Sequence, residues 1–466
     1  MEYISTRGSA PALDFRGVTL AGLASDGGLY VPRHWPQFTP GDIAALAGLD
    51  YAETAVRVMA PFVAGSLTED ELRTLCNAAY ASFSHDAITP LVQLGARHWL
   101  LELFHGPTLA FKDVALQLLG QLFGRFLDGG DTQLTIVGAT SGDTGSAAIE
   151  AVAGRDHIRI FMLHPEGRIS DVQRRQMTTI LAPNVHNIAI DGSFDDAQAM
   201  VKRMFGDAGV TRSLTLSAVN SINWARLMAQ IVYYFYAAVR LGAPARAVAF
   251  SVPTGNFGDV FAGYAAARMG LPIARLVVAT NVNDILHRAL TSGDYSAGTV
   301  TPTATPSMDI QVSSNFERLL FDLAARDGVA IAGMMHAFEA SRAMTIPADM
   351  LSAAQGLFTS VRVDEDGMAT ALAHAHRRHA MLIDPHTAIG YAAAREVAAS
   401  LPADVPMVTL ATAHPAKFGD AVERATGSRP TLPARLGDLM RREERFDRLP
   451  GDYDAVKAYV LERARG

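Results

Sequence analysis

From about residue 98 the chain alternates short, almost unbroken apolar runs with amphipathic ones, and nothing else in the sequence restricts the fold as strongly. Runs rich in β-branched residues at 132–138, 158–164 and 185–190 are separated by helix-period patterns at 146–153, 170–180 and 197–205. A second series begins at 248–252, continues at 275–279 and closes at 407–411. Strands that are apolar on both faces need cover on both faces, so the pattern predicts an α/β protein with parallel sheets between helical layers. Two series predict two lobes, a small one over approximately 125–215 and a large one from 91–124 and 216–466. Residues 1–90 differ. Gly27, Gly28, Pro32, Pro36 and Pro40 punctuate them, helical patterns lie at 42–47 and 67–83, and no strand–helix alternation is visible. They read as a mostly helical N-terminal domain.

Composition removes several classes of function. With 40 basic against 47 acidic residues the net charge is −7, and no long basic run is present, which argues against a nucleic-acid partner. The single cysteine, Cys76, excludes an intrachain disulfide framework and a Cys-rich metal site, and it reads as a buried, inert thiol in a reducing compartment. The first residues lack the basic start and apolar core of a signal peptide. The run 227–239, broken by Gln230 and flanked by Arg226 and Arg240, is too short to cross a bilayer and predicts a buried helix. A cytoplasmic protein with no membrane partner is expected. Residues 291–306, rich in Thr, Ser, Pro and Gly, predict a long mobile loop, either plain surface or a lid over a cleft.

Ligands of open α/β sheets bind beyond the carboxyl ends of the strands, so the loops there carry the functional argument. Gly138-Ala-Thr-Ser-Gly-Asp-Thr-Gly145 follows one apolar strand and precedes a helix expected from Ser146. Its glycines and the helix N-terminus can cradle an anion, with Thr140, Ser141 and Thr144 adding hydroxyls; an ordinary cap by Asp143 or Thr144 explains it equally well. Pro253-Thr-Gly-Asn-Phe-Gly-Asp259 repeats the arrangement without Lys or Arg, so a phosphate there would be held by backbone dipoles. In 410–418, Thr412 ends a strand with a hydroxyl able to reach a ring nitrogen, and Pro415 suits a first helical position. His414, with no second histidine at ligand spacing, reads as a structural hydrogen-bond partner, so no metal site is expected. Asn220-Ser-Ile-Asn-Trp-Ala-Arg226 brings polar side chains to the start of the buried helix, where Arg226 can grip a phosphate or pair with an acid. Lys112 opens a helical run after Glu102-Leu-Phe-His-Gly-Pro-Thr-Leu-Ala-Phe111, an apolar setting that can lower an amine's pKa and free its lone pair for an aldehyde, although most lysines are solvated surface charges.

A lysine opening a helix, two glycine-rich strand-to-helix loops and a hydroxyl at a late strand end resemble the fold-type II pyridoxal-phosphate enzymes, whose type is the tryptophan synthase β fold. Within them the chain is most similar to the threonine synthases. The similarity adds segments 3–8, 22–32, 307–318 and 384–390 to those above and runs in order from residue 3 to residue 418. It implies that Lys112 holds pyridoxal 5′-phosphate covalently and serves as general base. It implies too that Gly255, Asn256, Phe257, Gly258 and Asp259 bind the cofactor phosphate and that Thr412 faces the pyridine nitrogen. The loop Thr140, Ser141, Gly142, Asp143 and Thr144 would receive the substrate's α-carboxylate, with Asn223, Arg226 and Lys417 as candidates for its phosphate. The implied reaction takes O-phospho-L-homoserine and water to L-threonine and phosphate, the last step of threonine biosynthesis, in a monomer or homodimer. Rivals are a phospho-lyase or dehydratase on the same scaffold that yields a 2-oxo acid, and a non-catalytic protein that keeps the fold.

Overall fold

The structure is a computed structural model and describes residues 1–465. The large lobe is built on a six-stranded sheet ordered Phe358–Arg362, Ile273–Thr280, Val248–Pro253, Met407–Ala411, His98–Glu102 and Leu91–Gln93. All neighbours are parallel except the last pair. The small lobe has a five-stranded parallel sheet ordered Asp447–Leu449, Val185–Ile190, Ile158–Pro165, Leu134–Ala139 and Thr215–Ser217. The apolar runs read from the sequence are thus the central strands of both sheets. The short, partly exposed strands at their edges carry no comparable signal.

One boundary changes. Residues from 447 onward, expected in the large lobe, complete the small one. Strand Asp447–Leu449 pairs with Val185–Ile190. The following helix, Tyr453–Arg465, buries Tyr453, Val456 and Val460 against Phe161 and Leu163. A three-residue strand reading Asp-Arg-Leu shows no periodicity, so its partner follows from tertiary packing alone.

Residues 1–80 form a short antiparallel pair, Tyr3–Ser5 with Tyr30–Pro32, and the helices Phe15–Ala21, Pro40–Ala44, Tyr51–Val63 and Glu69–Tyr80. Their apolar side chains do not make a separate core. Trp224, at the start of the helix Trp224–Arg240, has the rings of Tyr3, Trp35 and Phe62 at 5.9, 6.1 and 5.7 Å. Every residue of that helix from Trp224 to Val239 is buried, as its apolar run predicts. Cys76 is buried as well, and burial pushes its thiol up to about 12, so it stays protonated and unreactive.

The stretch 291–306 is not a free loop. Asn281 Nδ2 donates to Thr303 and Thr305 Oγ1 at 3.0 and 2.9 Å, the Thr301 amide donates to Asn283 Oδ1 at 2.8 Å, and the Thr303 amide donates to Asp309 Oδ2 at 3.0 Å. The Ser and Thr composition that suggested mobility supplies the hydroxyls that pin it. The segment just after it backs onto Gly255, where a Cβ would lie 2.7 Å from the Ser307 carbonyl oxygen.

The helix Lys112–Leu127 crosses the helix Asp143–Val152 at Gly120, where a Cβ would stand 2.2 Å from the Ala151 carbonyl oxygen. A backbone atom cannot swing aside, so any side chain here separates two helices that both carry site residues. Gly120→Val is expected to cost about 2–3 kcal/mol by overpacking, read as a lower urea midpoint. Gly124→Ala, whose new Cβ meets only the flexible Arg155 Nη1 at 3.4 Å, leaves the midpoint unchanged or raises it. Equal losses in both variants would contradict this packing.

Burial also sets the response to acid. It pushes His98 and His186 down to about 4, from the ordinary 6.5. Below pH 6.5 the unfolded chain binds protons that the folded chain refuses, so stability is complete above that pH and is lost towards pH 4. His98, whose Nε2 lies 2.8 Å from Thr409 Oγ1, supplies one of those protons. His98→Gln is expected to make stability less steep between pH 6.5 and 4, measured by urea unfolding at several pH values. An unchanged slope would show that His98 titrates equally in both states.

Candidate active site

Lys112 is the first residue of its helix, and no side chain caps that helix N-terminus. The ammonium therefore meets the positive end of the helix dipole as well as a dry environment. Burial is the largest influence lowering its pKa; Asp143 opposes this, while the charges of Lys417 and Arg226 reinforce it. The geometry is that of an amine prepared to lose its proton.

Asp143 explains why a buried lysine is tolerable. Its Oδ2 lies 3.6 Å from Lys112 Nζ, and its Oδ1 lies 2.8 Å from Lys417 Nζ and accepts from Gln173 Nε2 at 2.9 Å. Burial alone would raise this carboxyl, but Lys417 and Lys112 outweigh it and hold it well below the usual carboxylate range. Two sequence expectations change here. Asp143, grouped with the residues receiving a carboxylate, is itself the anion of a buried ion-pair cluster. Lys417, a candidate for the substrate phosphate, donates to Asp143 and, at 2.7 Å, to the Thr108 carbonyl oxygen, with its side chain fully enclosed.

The rest of that loop ends in a helix N-terminus that no side chain caps. The helix Asp143–Val152 starts three residues earlier than expected, with Gly142 rather than Asp143 or Thr144 at its cap and no side-chain acceptor there. Thr140 Oγ1 accepts from the Gly142 and Gly145 amides, both at 2.9 Å, which shapes the turn from inside. Gly142 has φ 131°, and a Cβ would fall 2.5 Å from Gln173 Cδ, so only glycine fits. Ser141 and Thr144 remain half-buried with their hydroxyls.

Around Pro253–Asp259 the carbonyls are tied back. Ser313 Oγ donates to Gly255 O at 2.8 Å, and the Asn315 amide and Nδ2 donate to Asn256 O at 3.1 and 3.0 Å. Phe257 takes the left-handed φ of 63°, and the helix Gly258–Arg268 begins with no side-chain cap. With the carbonyls occupied, the uncapped first turn offers N–H groups to a phosphate. The Asp259 carboxylate takes no part. It accepts from the Tyr233 and Tyr234 hydroxyls, and burial pushes it up to about 6, so this residue contributes through its backbone.

Thr412 is joined to the lysine through the backbone, since the Phe111 amide donates to Thr412 O at 2.8 Å. Its own amide donates to Thr387 Oγ1 at 3.2 Å, and Thr387 is in turn held by Asp384. Asn223 caps the helix Trp224–Arg240: Oδ1 accepts from the Ala225 amide at 3.0 Å and Nδ2 donates to Thr19 O at 2.9 Å. Arg226 differs. It is 2% exposed, donates only from Nη1 to Val219 O at 2.7 Å, and leaves Nε with no partner. Burial pushes it down to about 10, and among the described residues no carboxylate pairs with it.

The sequence reading overlooked Thr108, Gln173, Ser313, Asn315 and Thr387, which hold these groups in place. Most lie within the motif segments themselves, but a supporting hydroxyl or amide has no signature of its own. The residues present fit pyridoxal phosphate: a lysine of lowered basicity, an uncapped amide cradle and a hydroxyl-bearing strand end stand together.

Comparison with known proteins agrees along the whole chain. Residues 2–80 match the family model "Threonine synthase N terminus", 84–345 "Pyridoxal-phosphate dependent enzyme" and 387–460 "Threonine synthase, C-terminal". A threonine synthase of Pseudomonas aeruginosa is 57% identical, covering 99% of this chain and 98% of its own. The chain belongs to the threonine synthase family. A solved pyridoxal-phosphate-bound threonine synthase of Brucella melitensis is 53% identical and superposes with a TM-score of 0.96 over 100% of both chains. The yeast threonine synthase, 38% identical, gives 0.94 over 100% of this chain and 99% of its own. This family member is therefore a pyridoxal-phosphate-dependent lyase of fold type II. No helix among the described residues is long and apolar enough to cross a membrane.

Proposed function

We propose that the chain converts O-phospho-L-homoserine and water to L-threonine and phosphate in the cytoplasm, as the last step of threonine biosynthesis. The observation that carries the substrate assignment is Arg226, a buried guanidinium with a free Nε and no carboxylate partner, whose charge is felt at Lys112. An unpaired buried cation is costly, and a dianionic phosphate entering beside it removes that cost.

Bound pyridoxal phosphate supplies the electron sink for the charge left when a proton departs from the α-carbon. The amides at Gly255 to Asp259 would hold its phosphate, and Thr412 would offer a hydroxyl, not a carboxylate, to its ring nitrogen, which would leave that nitrogen unprotonated and the sink weaker. Ser141, Thr144 and the amides beginning the Asp143–Val152 helix hold the substrate's α-carboxylate. Lys112 takes the α-proton and then a β-proton, the γ-phosphate leaves, the γ-carbon is protonated, water gives its hydroxyl to the β-carbon and its proton to the departed phosphate, and a proton returns to the α-carbon, while Arg226 follows the phosphate from ester to free anion.

The rival outcome on the same scaffold is 2-oxobutyrate, reached when the β-carbon takes a proton instead of water and the resulting imine is hydrolysed with loss of ammonia. Incubation of the purified protein with phosphohomoserine, followed by chromatography of the products, separates the two. Threonine and phosphate in equal amounts are expected; 2-oxobutyrate without threonine would overturn the proposal.

A further inference from the structure

Lys417 shares a carboxylate with Lys112, and neither ammonium has it alone. Asp143 Oδ1 is filled by Lys417 at 2.8 Å and Gln173 at 2.9 Å, which leaves Oδ2 to face Lys112 at the longer distance of 3.6 Å. Lys417 cannot drift, because the Thr108 carbonyl oxygen accepts from it at 2.7 Å and its side chain is fully enclosed. It stands on the short turn Pro415–Phe418, directly after Thr412, so one loop carries both this cation and the proposed partner of the ring nitrogen. We propose that Lys417 is a positioning residue for Lys112: by occupying Asp143 it prevents that carboxylate from closing on the Lys112 amine and keeps the amine ready to release its proton.

The charges around Lys112 come from four elements. Asp143 on the helix Asp143–Val152 and Asp259 on the helix Gly258–Arg268 favour its charged form. Lys417 on its turn and Arg226 on the helix Trp224–Arg240 oppose it. Asp143 pulls one way and Lys417 and Arg226 the other, and burial is the largest influence of all. Removing Lys417 tips the balance to negative and also releases Asp143 to approach Lys112. Neutralising Asp143 tips it the other way. The two substitutions therefore move the proton affinity at Lys112 Nζ in opposite directions, which a purely structural role does not require.

The inference rests on Lys112 being the amine that carries the cofactor. The test is a pH titration of the visible cofactor absorption of the holoenzyme, with kcat/KM for phosphohomoserine measured alongside. Lys417→Met is expected to raise the titration midpoint by about one pH unit or more, with the acid limb of kcat/KM moving the same way. Asp143→Asn is expected to lower the midpoint, and Lys417→Arg, which keeps the charge, to leave it in place. A midpoint unmoved in Lys417→Met and Asp143→Asn alike overturns the inference. So does a Lys417→Met variant changed only in KM for phosphohomoserine, the mark of a phosphate ligand. If Lys112→Ala keeps the lysine-bound cofactor spectrum, the reading of Lys112 itself falls; if that variant loses it and the Lys417→Met midpoint stays put, only the role of Lys417 falls.

Discussion

Lys112→Ala is expected to lower turnover of phosphohomoserine by at least about 1,000-fold, because covalent attachment of the cofactor and the proton transfers are lost together. The visible absorption of the lysine-bound cofactor should vanish with it, while far-ultraviolet circular dichroism stays unchanged. Stability should not suffer. The residue removed is a buried amine at a helix N-terminus, where burial and the helix dipole both disfavour its charge, and its loss leaves Asp143 paired with Lys417 at 2.8 Å. Measuring activity, spectrum and thermal midpoint on one preparation separates a chemical role from a structural one. Near-normal turnover would refute the assignment, and a collapse of the thermal midpoint would show that Lys112 supports the fold instead.

Arg226→Met is the second large effect, and it should separate function from stability. The side chain is buried with Nε unpartnered and one bond from Nη1 to Val219 O. Loss of a charge-assisted contact to the departing phosphate is expected to cut kcat/KM by about 100-fold or more, on the scale of breaking a buried ionic contact. Removing an uncompensated buried charge should leave the thermal midpoint unchanged or raise it, since the site is destabilising until ligand arrives. Added inorganic phosphate should raise the midpoint of the unaltered protein and not that of the variant. A variant that binds phosphate normally, or that melts well below the unaltered protein, would remove Arg226 from the site.

Much of this was legible in order along the chain. The strands 185–190 and 407–411 match their expected bounds, and the buried helix and the glycine-rich loops lie where their patterns put them. Apolar period and turn residues are local properties, and central strands of parallel sheets are their most faithful expression. What stayed hidden is which remote partner a side chain meets. Asp143, Asn223 and Lys417 were grouped by position in a motif, but their side chains are engaged by Lys112, Thr19 and Thr108. The stretch 291–306 looked mobile because Asn281, Asn283 and Asp309, which pin it, form no pattern with it in sequence.

The sequence by itself determined the two-lobed α/β architecture, through residue type and spacing over a few turns or strands, and its resemblance to known enzymes pointed to the family and the cofactor. Only the tertiary structure decided which charges meet. One carboxylate serves two lysines, an arginine is left without a partner, and an amine is poised by the balance. Such electrostatics depend on distances of a few ångströms between distant parts of the chain, in a medium where burial magnifies every unmatched charge.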